Sequence, residues 1–237
     1  MSEDSTLLLF VQTLWACIQA LPTTLLLTGL SILIGLAIAI PLAVVHHRHT
    51  TVKERLVQGF IYFFTGTPLL VQIYIIYYGL PSFDWVADLM QQPGFGFLKD
   101  GFIWALMALT LNTAAYSTVI FSGSIRNTDA GEVEAARAYG MWPRQAMWRI
   151  ILPSSLRRAL PAYSNEVIMI MHATSLASTV TVSEMTNAAS LIVSSSYRPF
   201  VAYSAAAVMY LLLTLILVGG FKLLEKRFMA HLGPRSQ

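Results

Sequence analysis

Residues 21–45 read LPTTLLLTGLSILIGLAIAIPLAVV, without an Asp, Glu, Lys, Arg or His. An uncharged run of this length suits an α-helix crossing roughly 30 Å of hydrocarbon, because in lipid each backbone group must be satisfied within its own segment. The rest of the chain agrees with that solvent. Of its 237 residues 56% are hydrophobic and 11% are charged, against roughly 25% charged in a soluble domain. Four further stretches are comparably apolar: Leu56–Leu80, Phe102–Ile125, Leu160–Val182 and Val201–Phe221. Before the first span, Leu7–Ala20 is shorter, carries Gln12, Thr13 and Gln19, and runs into Pro22. It is expected to be a separate helix along the membrane interface. The fold class expected is all-α integral membrane, with five transmembrane helices plus an N-terminal interfacial helix. The acidic start, Glu3-Asp4, differs from the basic start of a secretory signal, so the first apolar segment is expected to be retained. Cys17 is the single cysteine and has no second cysteine for an internal disulfide.

The cations fix an expected orientation. His46–Arg55, Arg126–Arg158 and the tail from Lys222 hold 13 of the 15 Lys and Arg residues, so these are assigned to the cytoplasm. The opposite loops hold Lys99 and Arg198 against Glu3, Asp4, Asp84, Asp88, Asp100 and Glu184. The N-terminus is therefore expected outside and the C-terminus inside. The net charge of +3 describes this asymmetry and is not a nucleic-acid footprint.

Within the segment 126–158, Asp129 and Glu132 have the spacing of a helix cap and its reciprocal partner. Arg137 stands three residues after Glu134 and is expected to pair with it. Ala135 and Ala136 give the helix a low-profile face, Gly140 suits its end, and Pro143 suits the start of the next. Arg144, Arg149, Arg157 and Arg158 are expected to meet anionic headgroups or an acidic partner.

The spacing Glu134-Ala135-Ala136, Gly140, Ile150-x-Leu152-Pro153 resembles the signature of the membrane subunits of bacterial ABC importers. Thr65-Gly66-Thr67-Pro68-Leu69-Leu70-Val71-Gln72, Leu111-Asn112-Thr113-Ala114-Ala115-Tyr116 and Ala159-Leu160-Pro161-Ala162-Tyr163-Ser164-Asn165-Glu166 resemble the polar and basic amino acid branch of that family. The resemblance covers nearly the whole chain. It implies a type I ABC importer permease architecture, a single permease domain over 1–237, and a coupling loop at 126–158. It also implies a coupling helix, with Glu134, Ala135, Ala136 and Gly140, that docks in a cytosolic ATPase. ATP and magnesium would sit on that ATPase, with no cofactor bound by this chain. Further implied partners are a periplasmic solute-binding protein and a second homologous permease subunit in a bacterial inner membrane. The chain departs from the family pattern twice, with Thr65 where relatives carry Arg and Val119 where they carry Glu. The joint loss suggests that neutral packing replaces an ion pair between the two spans.

Glu166 is the one acidic residue inside an expected span. A carboxylate at that depth costs a few kcal/mol unless it faces a cavity or a partner, so it is a functional candidate. The same span carries Asn165, His172, Thr174, Ser175 and Ser178, and it is expected to face water. In relatives that carry basic amino acids the matching glutamate receives the cationic side chain, so the resemblance implies that role for Glu166. Asn165, Thr67 and His172 are the further candidates, although a lone histidine on an apolar helix more commonly packs. Gly66-Thr67-Pro68 interrupts the second span and is expected to kink it beside the path.

ATP chemistry is not expected on this chain, since no lysine follows a glycine as a phosphate-binding loop requires. The function expected is import of histidine, arginine, lysine or ornithine by alternating access. Two alternatives stay open on sequence: an opine or other polar amino acid importer, and an ion-coupled secondary transporter with Glu166 as its ion site.

Overall fold

The computed structural model describes residues 3–47 and 52–228. Arg48 and Arg235, two of the cations used to orient the chain, lie outside those residues. The described chain is helical: α1 (Glu3–His46), α2 (Val52–Gly66), α3 (Leu69–Tyr74), α4 (Asp84–Gln91), α5 (Gly101–Arg126), α6 (Ala130–Ala138), α7 (Pro143–Ala146), α8 (Leu152–Ala173), α9 (Met185–Ser196) and α10 (Pro199–Phe228). A π turn and a 3-10 turn extend α3 to Ser82, a π turn joins α7 to α8, and a 3-10 segment carries α8 on to Val180. Three helices are long and apolar enough to cross a membrane, and five crossings result when each of two bent pairs counts as one.

Helix α1 corrects one expectation. Leu7–Ala20 is not a separate interfacial helix, because α1 runs unbroken for 44 residues with Pro22 and Pro41 inside it. A proline removes one helix hydrogen bond and strains the preceding turn. Here neighbouring chain bridges the weak point. Cys17 Sγ contacts the Met185 carbonyl (3.6 Å), and Thr24 Oγ1 accepts from the Met185 amide (3.3 Å), so one residue of α9 grips α1 on both sides of Pro22.

Packing sets the directions. Leu27 shares a core with Trp104–Leu109, Gly35 abuts Thr113, and Ala39 and Ala43 share a core with Phe121 and Ile125, so α1 and α5 run parallel. Arg198 reaches Ser5 and Thr6, Tyr210 packs beside Ala20 and Leu21, and Phe221 packs with the core of Ala39 and Ala43; α10 therefore runs parallel to α1. In contrast, Ser155, Tyr163 and Glu166 meet Ser124, Phe121 and Thr113 in turn, so α8 is antiparallel to α5. Between two parallel spans the chain has to return, and α2 with α3 makes that return. The C-terminal ends of α1, α5 and α10, the start of α8 and the whole of α6 thus share one end of the bundle, which holds most of the described cations.

Candidate functional site

The second span is broken more sharply than a kink. Its halves, 52–66 and 69–82, bend by 107° at Gly66-Thr67-Pro68. Pro68 has no N–H for the carbonyl of Phe64, and that oxygen accepts instead from Gln72 Nε2 (2.9 Å) and Asn112 Nδ2 (3.1 Å). Gln72 Nε2 also reaches the Thr67 carbonyl (3.0 Å) and hydroxyl (2.8 Å), while Asn112 Nδ2 donates to Gln72 Oε1 (3.0 Å). The break is therefore a satisfied structure. It is sealed by two buried amides that sequence reasoning did not single out.

Beside the break lies a cavity of about 630 Å³ between α3, α5 and α8. Thr67, Pro68, Asn112, Tyr116, Asn165 and Glu166 supply its polar side and its turn, and Leu69, Ile120, Met169 and Ile170 supply apolar wall. Three of the four candidate contacts, Thr67, Asn165 and Glu166, thus come together. His172 does not line this cavity. It sits just round α8 from Asn165, with Nε2 2.9 Å from Thr214 Oγ1 and its ring 6.3 Å from that of Tyr210 on α10.

Glu166 is 8% exposed, and its Oε1 accepts from Thr113 Oγ1 at 2.8 Å. Thr113 is itself held by α1, since a Cβ at Gly35 would stand 2.5 Å from Thr113 Cγ2. Only glycine lets the two helices approach that closely. Thr113 lies in the Asn112-Thr113 pair within the family-like stretch 111–116, and that resemblance was the available signal. At the first departure from the family pattern the Thr65 hydroxyl closes back on the Ile61 carbonyl (2.8 Å) and Tyr116 reaches the Thr65 carbonyl (3.4 Å), while Val119, the second, is exposed. The contact at Thr65 is therefore made by Tyr116, not by Val119.

At the cationic end, α6 begins as expected: Asp129 accepts from the Gly131 amide (2.8 Å). Its end is a Schellman cap, in which Gly140 at φ +70° places its amide on the Arg137 carbonyl (2.9 Å) and Met141 reaches the Ala136 carbonyl (3.1 Å). Ala136 is buried under the following turn, whereas Glu134, Ala135, Gly140, Tyr139 and Trp142 are exposed. Two expectations are corrected here. Glu134 makes no ion pair with Arg137 among the described residues. Glu132, rather than returning to its own helix end, accepts from Arg158 Nη1 (2.9 Å) and from the Ser154 hydroxyl (2.8 Å), because a guanidinium competes better for a carboxylate than a backbone amide does. Among the described residues Arg158 therefore pairs with Glu132 and not with Glu166.

A bundle of apolar spans with a largely apolar cavity that carries a few polar groups at a broken helix, and an exposed helix at the cationic end, fits a membrane permease subunit that works with partners. The comparisons agree. Residues 31–230 match the family model described as the inner membrane component of binding-protein-dependent transport systems, and the chain belongs to that family. It is 42% identical over 90% of its length to the histidine/lysine/arginine/ornithine transport system permease protein HisM of Escherichia coli K12, covering 89% of that protein. To the octopine transport system permease protein OccM of Rhizobium radiobacter it is 42% identical, covering 90% of this chain and 86% of the relative. A solved amino acid ABC transporter with histidines superposes with a TM-score of 0.77 at 32% identity, over 92% of this chain and 96% of that one. A chain of the MetNI methionine ABC transporter in an inward-facing form shares the fold, with a TM-score of 0.74 at 17% identity over 96% and 99% of the two chains. The chain is accordingly an amino acid ABC importer permease of the inner membrane. A binding protein and a separate ATPase subunit are its partners, and ATP is hydrolysed on the latter.

Proposed function

We propose that this permease passes basic amino acids, namely histidine, arginine, lysine and ornithine, along a path on which Glu166 receives the cationic side chain. The observation that carries the reading is the buried Glu166 carboxylate on the wall of a 630 Å³ cavity at the broken second span. A carboxylate in low dielectric discriminates strongly for a cation. Asn165 and Thr67 line the approach to it, and His172 is assigned to packing of α8 on α10 through Thr214. The relatives named for histidine, lysine, arginine and ornithine support the substrate class.

The reading treats residues 1–237 as one permease domain, with the N-terminus periplasmic and the C-terminus cytoplasmic. The coupling loop at 126–158 then presents Glu134, Ala135 and Gly140 to the ATPase dimer, whereas Ala136, expected on the same docking face, is buried and packs α6 on its own loop instead. A second, homologous permease subunit completes the path, and ATP with magnesium stays on the ATPase. Support comes from the gathering of cationic segments at one end, the end that faces the cytoplasm under the positive-inside rule.

Replacing Glu166 by Gln tests the assignment in vesicles holding the assembled transporter and its binding protein. Arginine and lysine uptake is expected to fall by at least about tenfold, the scale of a lost charge-assisted contact, with assembly intact. Unchanged uptake kinetics would remove Glu166 from the path. The octopine and nopaline permeases among the relatives favour a second reading, an opine substrate, and including both compounds in the labelled panel decides between them.

A further inference from the structure

Arg158 joins three elements with one guanidinium. Nη1 donates to Glu132 Oε1 on α6 (2.9 Å) and to Ser154 Oγ on α8 (2.6 Å). Nη2 donates to Thr128 Oγ1 just beyond α5 (3.0 Å) and to Ser155 Oγ (3.2 Å). Around this fork, Ser154 donates to Glu132 Oε1 (2.8 Å), Ser124 of α5 donates to the Ser155 carbonyl (2.7 Å), and Thr128 donates to the Ile125 carbonyl (2.7 Å). The cluster sits at the base of α8, the helix that carries Glu166 two turns further on.

Stability alone is a poor account of this cluster. The ion pair is partly buried and single-pronged, and Glu132 Oε2 and Arg158 Nε find no hydrogen-bond partner among the described residues. Desolvating two charges while leaving polar atoms unpaired commonly costs as much as the attraction returns. Location supplies the better account. Besides the cluster, α6 is tied to the bundle by the three-residue link 127–129 from α5, by buried Ala136 and by the short turn after Gly140.

We propose that Arg158 is a positioning residue that locks the docking helix α6 to the ends of α5 and α8, so that movement of α6 is delivered to the helix bearing Glu166. This rests on the importer reading above. A planar fork suits the task, because it holds four acceptors in fixed directions, whereas an ammonium is a point charge. The lock transmits; it does not select. Arg158→Ala and Glu132→Gln should therefore separate ATP hydrolysis from import without altering which amino acid is carried.

The test uses the complete transporter, with its ATPase and binding protein, in lipid vesicles, and reads arginine imported per ATP hydrolysed. Arg158→Ala and Glu132→Gln are expected to lower that ratio by about tenfold, the upper range for residues on a transmission network. Bound ATPase should stay stoichiometric, and the arginine KM should change by less than about twofold. Arg158→Lys, which keeps the charge and loses the fork, should recover part of the ratio. If Arg158→Ala fails to assemble, Thr128→Val and Ser155→Ala each remove one of the four acceptors of Arg158 and should lower the ratio in smaller steps. An unchanged ratio in assembled variants, or import and hydrolysis falling in equal proportion, would overturn the lock. Absence of ATP-driven uptake in the wild-type complex would overturn the importer reading and the lock with it.

Discussion

The chain breaks two of its spans, and it repairs the two breaks with opposite chemistry. At 66–68 the exposed problem is a helix C-terminus: carbonyls lose their donors, and the amides of Gln72 and Asn112 supply N–H groups. At 181–184, where the bend is 47°, the exposed problem is a helix N-terminus. There the buried Glu184 carboxylate accepts from the amides of Thr186 (2.8 Å) and Asn187 (2.7 Å) and from the Tyr210 hydroxyl (2.7 Å). Helix ends present unlike orphans, donors at one end and acceptors at the other, and the repairing side chains follow from that polarity. The first break borders the cavity and is made of neutral groups. The second, away from it, holds a carboxylate.

The comparison can be broken by substitution. Glu184→Ala should have the largest effect, because two backbone donors and a tyrosine hydroxyl lose one acceptor together. A loss of about 2–4 kcal/mol is expected, read as a lowered unfolding midpoint in detergent. Gln72→Leu should follow, at about 1–3 kcal/mol, since Asn112 still reaches the Phe64 carbonyl but the Thr67 carbonyl is left bare. Import should fall more in this variant than its stability does, because the break lines the path. Equal falls would make the first break a packing feature like any other. The smallest effect, and opposite in sign, is expected from Thr181→Gly. Thr181 holds φ 65°, and relieving a left-handed residue should raise the midpoint by the equivalent of about 1 kcal/mol or less.

Composition made the spans legible and made Glu166 stand out as an acid within one, while the docking role of the loop came from the spacing of Glu134-Ala135-Ala136 and Gly140 and the resemblance it carries. Gly66-Thr67-Pro68 announced a break, yet the 107° angle did not follow from it. Its donors come from Asn112, far along the chain, and from Gln72, which reads as an ordinary polar interruption. Pro22 misled in the other direction. A local breaker signal was overridden by Met185, which is distant in sequence and adjacent in space. Glu184 looked like a loop acid facing outward; only Tyr210 and the start of α9 give it a buried task. Arg158 was visible as a cation, but its destination depended on three elements meeting.

Helix α1 ties the separate cores of the molecule to one element. At 1.5 Å per residue its 44 residues form a rod of about 66 Å, roughly twice the hydrocarbon thickness. It touches all three apolar cores, with Cys17 in one, Leu27 in the next, and Ala39 and Ala43 in the third. Running unbroken through Pro22 and Pro41, it is the rail along which the other spans pack. Within the described spans, the two breaks at 66–68 and 181–184 both lie in elements that run against the rail.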